Sequence, residues 1–203
     1  MTPPICDYFI KAFTRVVECG YGDEVVYIRE LKPIEEQTHE DFRREFVWVI
    51  LNSGFKEQYA RVIFDRFWDA INKKTPIEDP FSVIAHAGKR KVIIECFAKS
   101  GEWFNQLEEL TTPSEQIEFI RTLPWMGGKA LGYHLARNIG IDAVKPDRHL
   151  LKLAEHFGYP SPLEMCKDIQ ANLNGGMFLT KEKLGTIDVI LWRSMNLTGG
   201  KIE

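Results

Sequence analysis

The stretch that most limits what this chain can fold into runs from Leu123 to His149. Two helical patterns flank a turn. Ser114 to Thr122 carries Ile117 and Ile120, with Leu123 just beyond, at helical spacing, and Pro113 and Ser114 are start signals. Lys129 to Ile139 sets Leu131, Leu135 and Ile139 on one face, and Gly140 ends it. Leu123-Pro124-Trp125-Met126-Gly127 connects the two. Gly127 and Gly128 permit backbone angles that strain other residues, and they let another molecule approach the main chain. The N–H groups that open the second helix have no intrahelical partner, so they can hold a phosphate. Asp147 then follows Pro146 and starts a further helix.

Leu123, Pro124, Met126, Gly127 and Lys129 fall in one register, and Asp147 stands eighteen residues after Lys129. On these residues the chain resembles the helix-hairpin-helix DNA glycosylases, which include endonuclease III and the 8-oxoguanine glycosylases. Their hairpin reads roughly Leu-Pro-Gly-hydrophobic-Gly-x-Lys, followed at the same separation by an essential Asp. The run from Lys129 to Leu150 looks closest to the small archaeal-type 8-oxoguanine glycosylases. Those share the overall length, the Asp147-Arg148-His149 run followed by aliphatic residues, and a Trp near a Lys-containing C-terminus. One residue departs from the pattern: Trp125 stands where the family has its first hairpin glycine. The resemblance is specific over about a quarter of the chain.

The resemblance implies an all-α fold of two helical lobes with a cleft between them. One lobe would cover roughly residues 40–145, including the hairpin at 114–139, and the other 1–39 plus 146–203. The implied partner is double-stranded DNA carrying a damaged or modified base, met by a monomer. Many endonuclease III relatives hold an iron–sulfur cluster on four cysteines near the C-terminus. No Cys follows Cys166 here, so no cluster and no other cofactor or metal is expected.

Composition sets the remaining bounds. A chain of 203 residues is one domain or two small lobes and buries about two-thirds of its unfolded surface. It has no long apolar run and no signal-peptide pattern, so the expected setting is intracellular, without a membrane. Cys6, Cys19, Cys96 and Cys166 lack Cys-x-x-Cys spacing and are expected as reduced core thiols. The net charge of −3 weighs mildly against nucleic acid, but a basic stripe on one face would suffice. Positive residues gather at Lys89-Arg90-Lys91 and again at Lys129, Arg137, Lys145, Arg148 and His149.

Several residues are candidates for chemistry. Asp147 as a helix N-cap is the plain reading, and it does not compete with a functional one. A carboxylate fixed there is aimed, and it could stabilise positive charge developing on a deoxyribose C1′ or help activate the attacking nucleophile. An amine at Lys129 would face the positive end of a helix dipole, which favours the neutral form. Such an amine can attack C1′ and form a Schiff base, the route to strand cleavage by β-elimination. Gly127, Gly128, Arg148 and His149 are phosphate candidates. Trp192 is either core packing or a flat surface for an extruded base, with Lys201 just beyond it. Phe55 and Lys56 sit at an interhelical turn where relatives place a wedge into the duplex, or else Phe55 covers core. Trp125 either packs under the hairpin or reaches toward the base pocket.

Elsewhere the periodicity predicts helices from Pro4 to about Gly20, from Thr38 to about Asn52, and over 57–71, 89–110, 148–157, 162–172 and 180–196, with a short helix at 80–87. Residues 23–34 read as a strand or a connector, and Asn174-Gly175-Gly176 as a loop. The expected function is a base-excision glycosylase with strand-cleaving activity, acting on an oxidised base of the 8-oxoguanine kind. A glycosylase without the lyase step, and a non-catalytic DNA-binding module, stand as alternatives.

Overall fold

The computed structural model describes residues 3–128, 130–173 and 182–203; Lys129 and the expected 174–176 loop lie outside them. The described residues form helices joined by turns and two short 3-10 segments, with no strand among them. The helices are α1 (Pro4–Glu18), α2 (Gly22–Glu30), α3 (His39–Asn52), α4 (Glu57–Ile71), α5 (Ala87–Glu108), α6 (Pro113–Thr122), α7 (Leu131–Asn138), α8 (Arg148–His156), α9 (Pro162–Leu173) and α10 (Leu184–Leu197). The chain divides into two compact units, residues 1–32 with 136–203, and residues 33–135. These boundaries lie earlier in the chain than the expected 39/40 and 145/146.

In the first unit α10 is the central element. Gly185 to Leu191 are all buried, together with Ser194 and Met195, and a helix apolar nearly all round belongs inside a core. It packs against α1, α2, α8 and α9. Tyr8, Phe9 and Val16 of α1, Leu150 and Leu153 of α8, and Met165 and Ile169 of α9 complete that core. Residues 22–30 are helical, neither strand nor connector. Only Val25 and Ile28 of the apolar run are buried, three apart, while Val26 and Tyr27 face solvent, which is helical rather than alternating spacing. Charge fixes this helix: Arg193 grips Glu24 at 2.7 and 3.0 Å, and Arg29 grips Glu182 at 3.2 and 2.6 Å.

In the second unit α3 packs on α4 and α5. Thr38 and Asp41 close a capping box that starts α3. Phe42, Phe46, Trp103 and Phe104 meet in tilted ring pairs, and Phe64, Phe67, Trp68, Phe81 and Phe97 form a second aromatic group. Helix α5 begins at Ala87, with the His86 ring accepting from the Lys89 N–H at 3.3 Å. It runs unbroken through Gly101. The short segment before it, Pro80–Val83, is 3-10 rather than a helix reaching residue 87. Helix α10 opens at Leu184, later than the expected residue 180.

Two expectations about side chains change. Cys6, Cys96 and Cys166 are buried, but Cys19 is exposed at the end of α1. Burial raises the Cys166 thiol and takes that of Cys96 to about 12. The basic clusters are also smaller than the sequence suggested, because several cations point inward. Lys89 is 3 % exposed, and its ammonium donates to Leu51 O at 2.9 Å and Ser53 O at 2.5 Å. Arg90 donates to the Ile84 and Ala85 carbonyls. Arg137 pairs with buried Asp188.

Candidate active site

The hairpin is built by α6, the turn after it, and α7. Thr112 caps α6 in a second capping box with Glu115, and Pro113 at the first helical position presets the backbone. The Met126 N–H donates to Leu123 O at 3.0 Å, with Pro124 second in the turn and Trp125 third at φ +73°. Those are the features of a type II turn, whose third position takes glycine by preference. Trp125 therefore adopts a backbone conformation that glycine favours, and the turn forms with Trp in it. The indole lies against Gly88 and edge-on to His86, with 41 % of the residue exposed. It packs on the start of α5, a placement that neither alternative named.

The two glycines act differently from expectation. Neither Gly127 nor Gly128 has positive φ. At Gly127 a Cβ would sit 3.3 Å from Arg121 O, so its smallness admits α6 backbone; at Gly128 the space is open. A third glycine was missed. A Cβ at Gly132 would come within 2.6 Å of Arg121 Cγ and 3.2 Å of Met126 O, so Gly132 lets α7 approach α6. Its signal was a small residue on the inner side of a helical pattern. Lys129, the candidate nucleophile, lies outside the described residues.

Asp147 stands at the N-cap of α8, partly buried. Its Oδ1 accepts from the N–H groups of His149 at 2.9 Å and Leu150 at 3.1 Å. Among the described residues Oδ2 takes no protein donor, so one oxygen orients the group and the other remains open. Arg148 is exposed on the first turn of α8. His149 is partly buried, and burial lowers its pKa, with the Asp147 charge opposing. The left-handed pair Gly199 and Gly200 folds the chain end back. The Gly200 carbonyl accepts from Lys152 Nζ at 2.7 Å, and a Cβ at Gly200 would lie 3.6 Å from the His149 ring. The segment carrying exposed Lys201 is thereby held beside the start of α8.

The other candidates are placed less suggestively. Trp192 packs partly against the first unit's core, with the Arg193 guanidinium 4.7 Å from its ring centre. Phe55 is folded down: Tyr59 meets it edge-on at 5.3 Å, and the Lys89 ammonium lies 3.8 Å from its ring centre. Lys56 is exposed. Lys145, just before Pro146, has its pKa lowered by burial and by Arg137, with Asp147 and Asp188 opposing.

No protein-family model matches the chain, and no curated protein matches it. Among solved structures it is similar to the crystal structure of the 8-oxoguanine DNA glycosylase of Thermotoga maritima. The TM-score is 0.59 at 20 % identity, over 98 % of this chain and 99 % of that one. No helix among the described residues is long and apolar enough to cross a membrane. The chain thus shares the overall fold of that glycosylase, and its own described residues are helical throughout their regular structure.

Proposed function

We propose that the chain is a base-excision DNA glycosylase with associated strand-cleaving activity. Its substrate would be duplex DNA carrying an oxidised purine of the 8-oxoguanine kind, met by a monomer. The carrying observation is the Asp147 carboxylate: oriented by the α8 N–H groups through one oxygen and, among the described residues, without a donor at the other, it stands eighteen residues after Lys129. The shared fold of a named 8-oxoguanine glycosylase supports the same reading.

In this mechanism the Lys129 amine attacks C1′ of the extruded nucleotide. A C1′–N bond forms as the glycosidic bond breaks, and the base leaves with the bonding pair and takes up a proton. Asp147 stabilises the positive charge on the sugar. Loss of the amine's proton and opening of the sugar ring give a Schiff base. Removal of a proton from C2′ then expels the 3′ phosphate and cuts the strand. Amine, carboxylate, DNA and water balance every step. The hairpin main chain and Arg148 would hold phosphates, which position the duplex without reading sequence.

Incubation with duplex containing 8-oxoguanine, and separately with abasic-site DNA, each with borohydride, tests the reading. Wild type should form a covalent adduct, and Lys129→Gln should form none. Base release without an adduct would replace the lyase with a glycosylase that uses water. Neither adduct nor release would leave a DNA-binding module.

A further inference from the structure

Asp188 is 1 % exposed within the otherwise apolar run of α10, and its two oxygens take different donors. Oδ1 accepts from Arg137 Nη1 at 2.9 Å, and Oδ2 accepts from the main-chain N–H of Lys145 at 2.5 Å. Lys145 is two residues before Asp147. Its carbonyl in turn accepts from the Asp147 N–H at 2.8 Å, and Asp147 Oδ1 accepts from the first turn of α8. Hydrogen bonds to both main-chain groups of Lys145 therefore tie the buried carboxylate on α10 to the backbone of the candidate catalytic residue.

The segment needs such an anchor. Residues 141–147 are in no helix, and Pro146 has no N–H to give. The segment is tied to α10 at a second point, where Asp142 Oδ1 accepts from the Gly185 N–H at 3.0 Å. Gly185 serves the same joint: a Cβ there would lie 3.0 Å from Arg137 Cγ and would press Arg137 away from Asp188. Because both groups facing Asp188 are N–H donors, the position calls for an acceptor at both oxygens. An ionised carboxylate meets that demand, whereas an amide would turn its NH2 toward a donor.

We infer that Asp188 is a positioning residue for Asp147, holding the Lys145-Pro146-Asp147 corner so that the Asp147 carboxylate keeps one orientation. The catalytic part rests on the function proposed above; the structural part does not. Asp188→Asn should speed hydrogen exchange at the His149 and Leu150 amides by about tenfold or more, with α9 amides unchanged. Single-turnover base release should fall about 100-fold, while affinity for the damaged duplex stays at the wild-type value. Arg137→Gln breaks the same ion pair but leaves Oδ2 on the Lys145 N–H. It should lower stability yet keep most base release and wild-type exchange at those two amides. If the two variants lose base release in proportion to their lost stability, Asp188 is a core ion-pair partner and the inference is wrong. Unchanged exchange at His149 and Leu150 in folded Asp188→Asn would equally sink it. If wild type releases no base, the functional reading fails, and the exchange pattern alone still decides the positioning.

Discussion

Gly88 and Trp125 are in contact: a Cβ at residue 88 would stand 3.3 Å from two carbons of the Trp125 ring and 3.2 Å from His86 Cε1. The contact joins the first turn of α5 to the hairpin and explains how a bulky residue tolerates φ +73°.

Two effects compete in Trp125→Gly. Holding a non-glycine residue in the left-handed region costs about 1–2 kcal/mol. The indole, 41 % exposed, removes somewhat over half its surface from water, a gain of about 2–3 kcal/mol. Glycine also adds unfolded-state freedom. Burial wins, so the variant should lose about 1 kcal/mol in urea unfolding and keep its affinity for undamaged duplex. A gain in stability would show that the indole contributes little.

Asp147→Asn separates the structural from the chemical role of the carboxylate. Asn caps helices as well as Asp, and its amide oxygen can accept from His149 and Leu150. Unfolding stability should move by less than about 0.5 kcal/mol, while base release falls about 100- to 1000-fold. Wild-type release in this variant would remove Asp147 from the site.

Lys89 makes stability depend on alkaline pH. Burial takes its ammonium down to about 8 from the ordinary 10.5. Between about pH 8 and 10.5 the unfolded chain binds more protons than the folded one, so this group's contribution to stability rises with pH. Lys89→Met lacks that titration. The stability difference, wild type minus variant, should therefore move in favour of wild type from pH 8 to 10. A flat or opposite trend in paired urea titrations would contradict it.

Much of the helical plan was legible because it rests on local rules: Thr38 with Asp41, Pro at the starts of α1, α6 and α9, and apolar spacing in α3 and α4. Helix α2 was not, because Val25, Val26, Tyr27 and Ile28 are consecutive, and only the packing shows which two face inward. The directions of Lys89, Arg137 and Lys145 were also hidden, since formal charge does not say where a long side chain ends. Asp188 did leave a signal, an acid between Ile187 and Val189 on an apolar helix. The Lys129–Asp147 spacing was read from the sequence alone, and chemical trapping is its test.

The support under Trp125 relocates a constraint. A turn position that favours glycine carries the largest side chain here, and residue 88, against its ring, is the position where added bulk is felt. The two sites should therefore be epistatic. Gly88→Ala should cost more with Trp at 125 than with Gly there, where only the His86 ring has to yield.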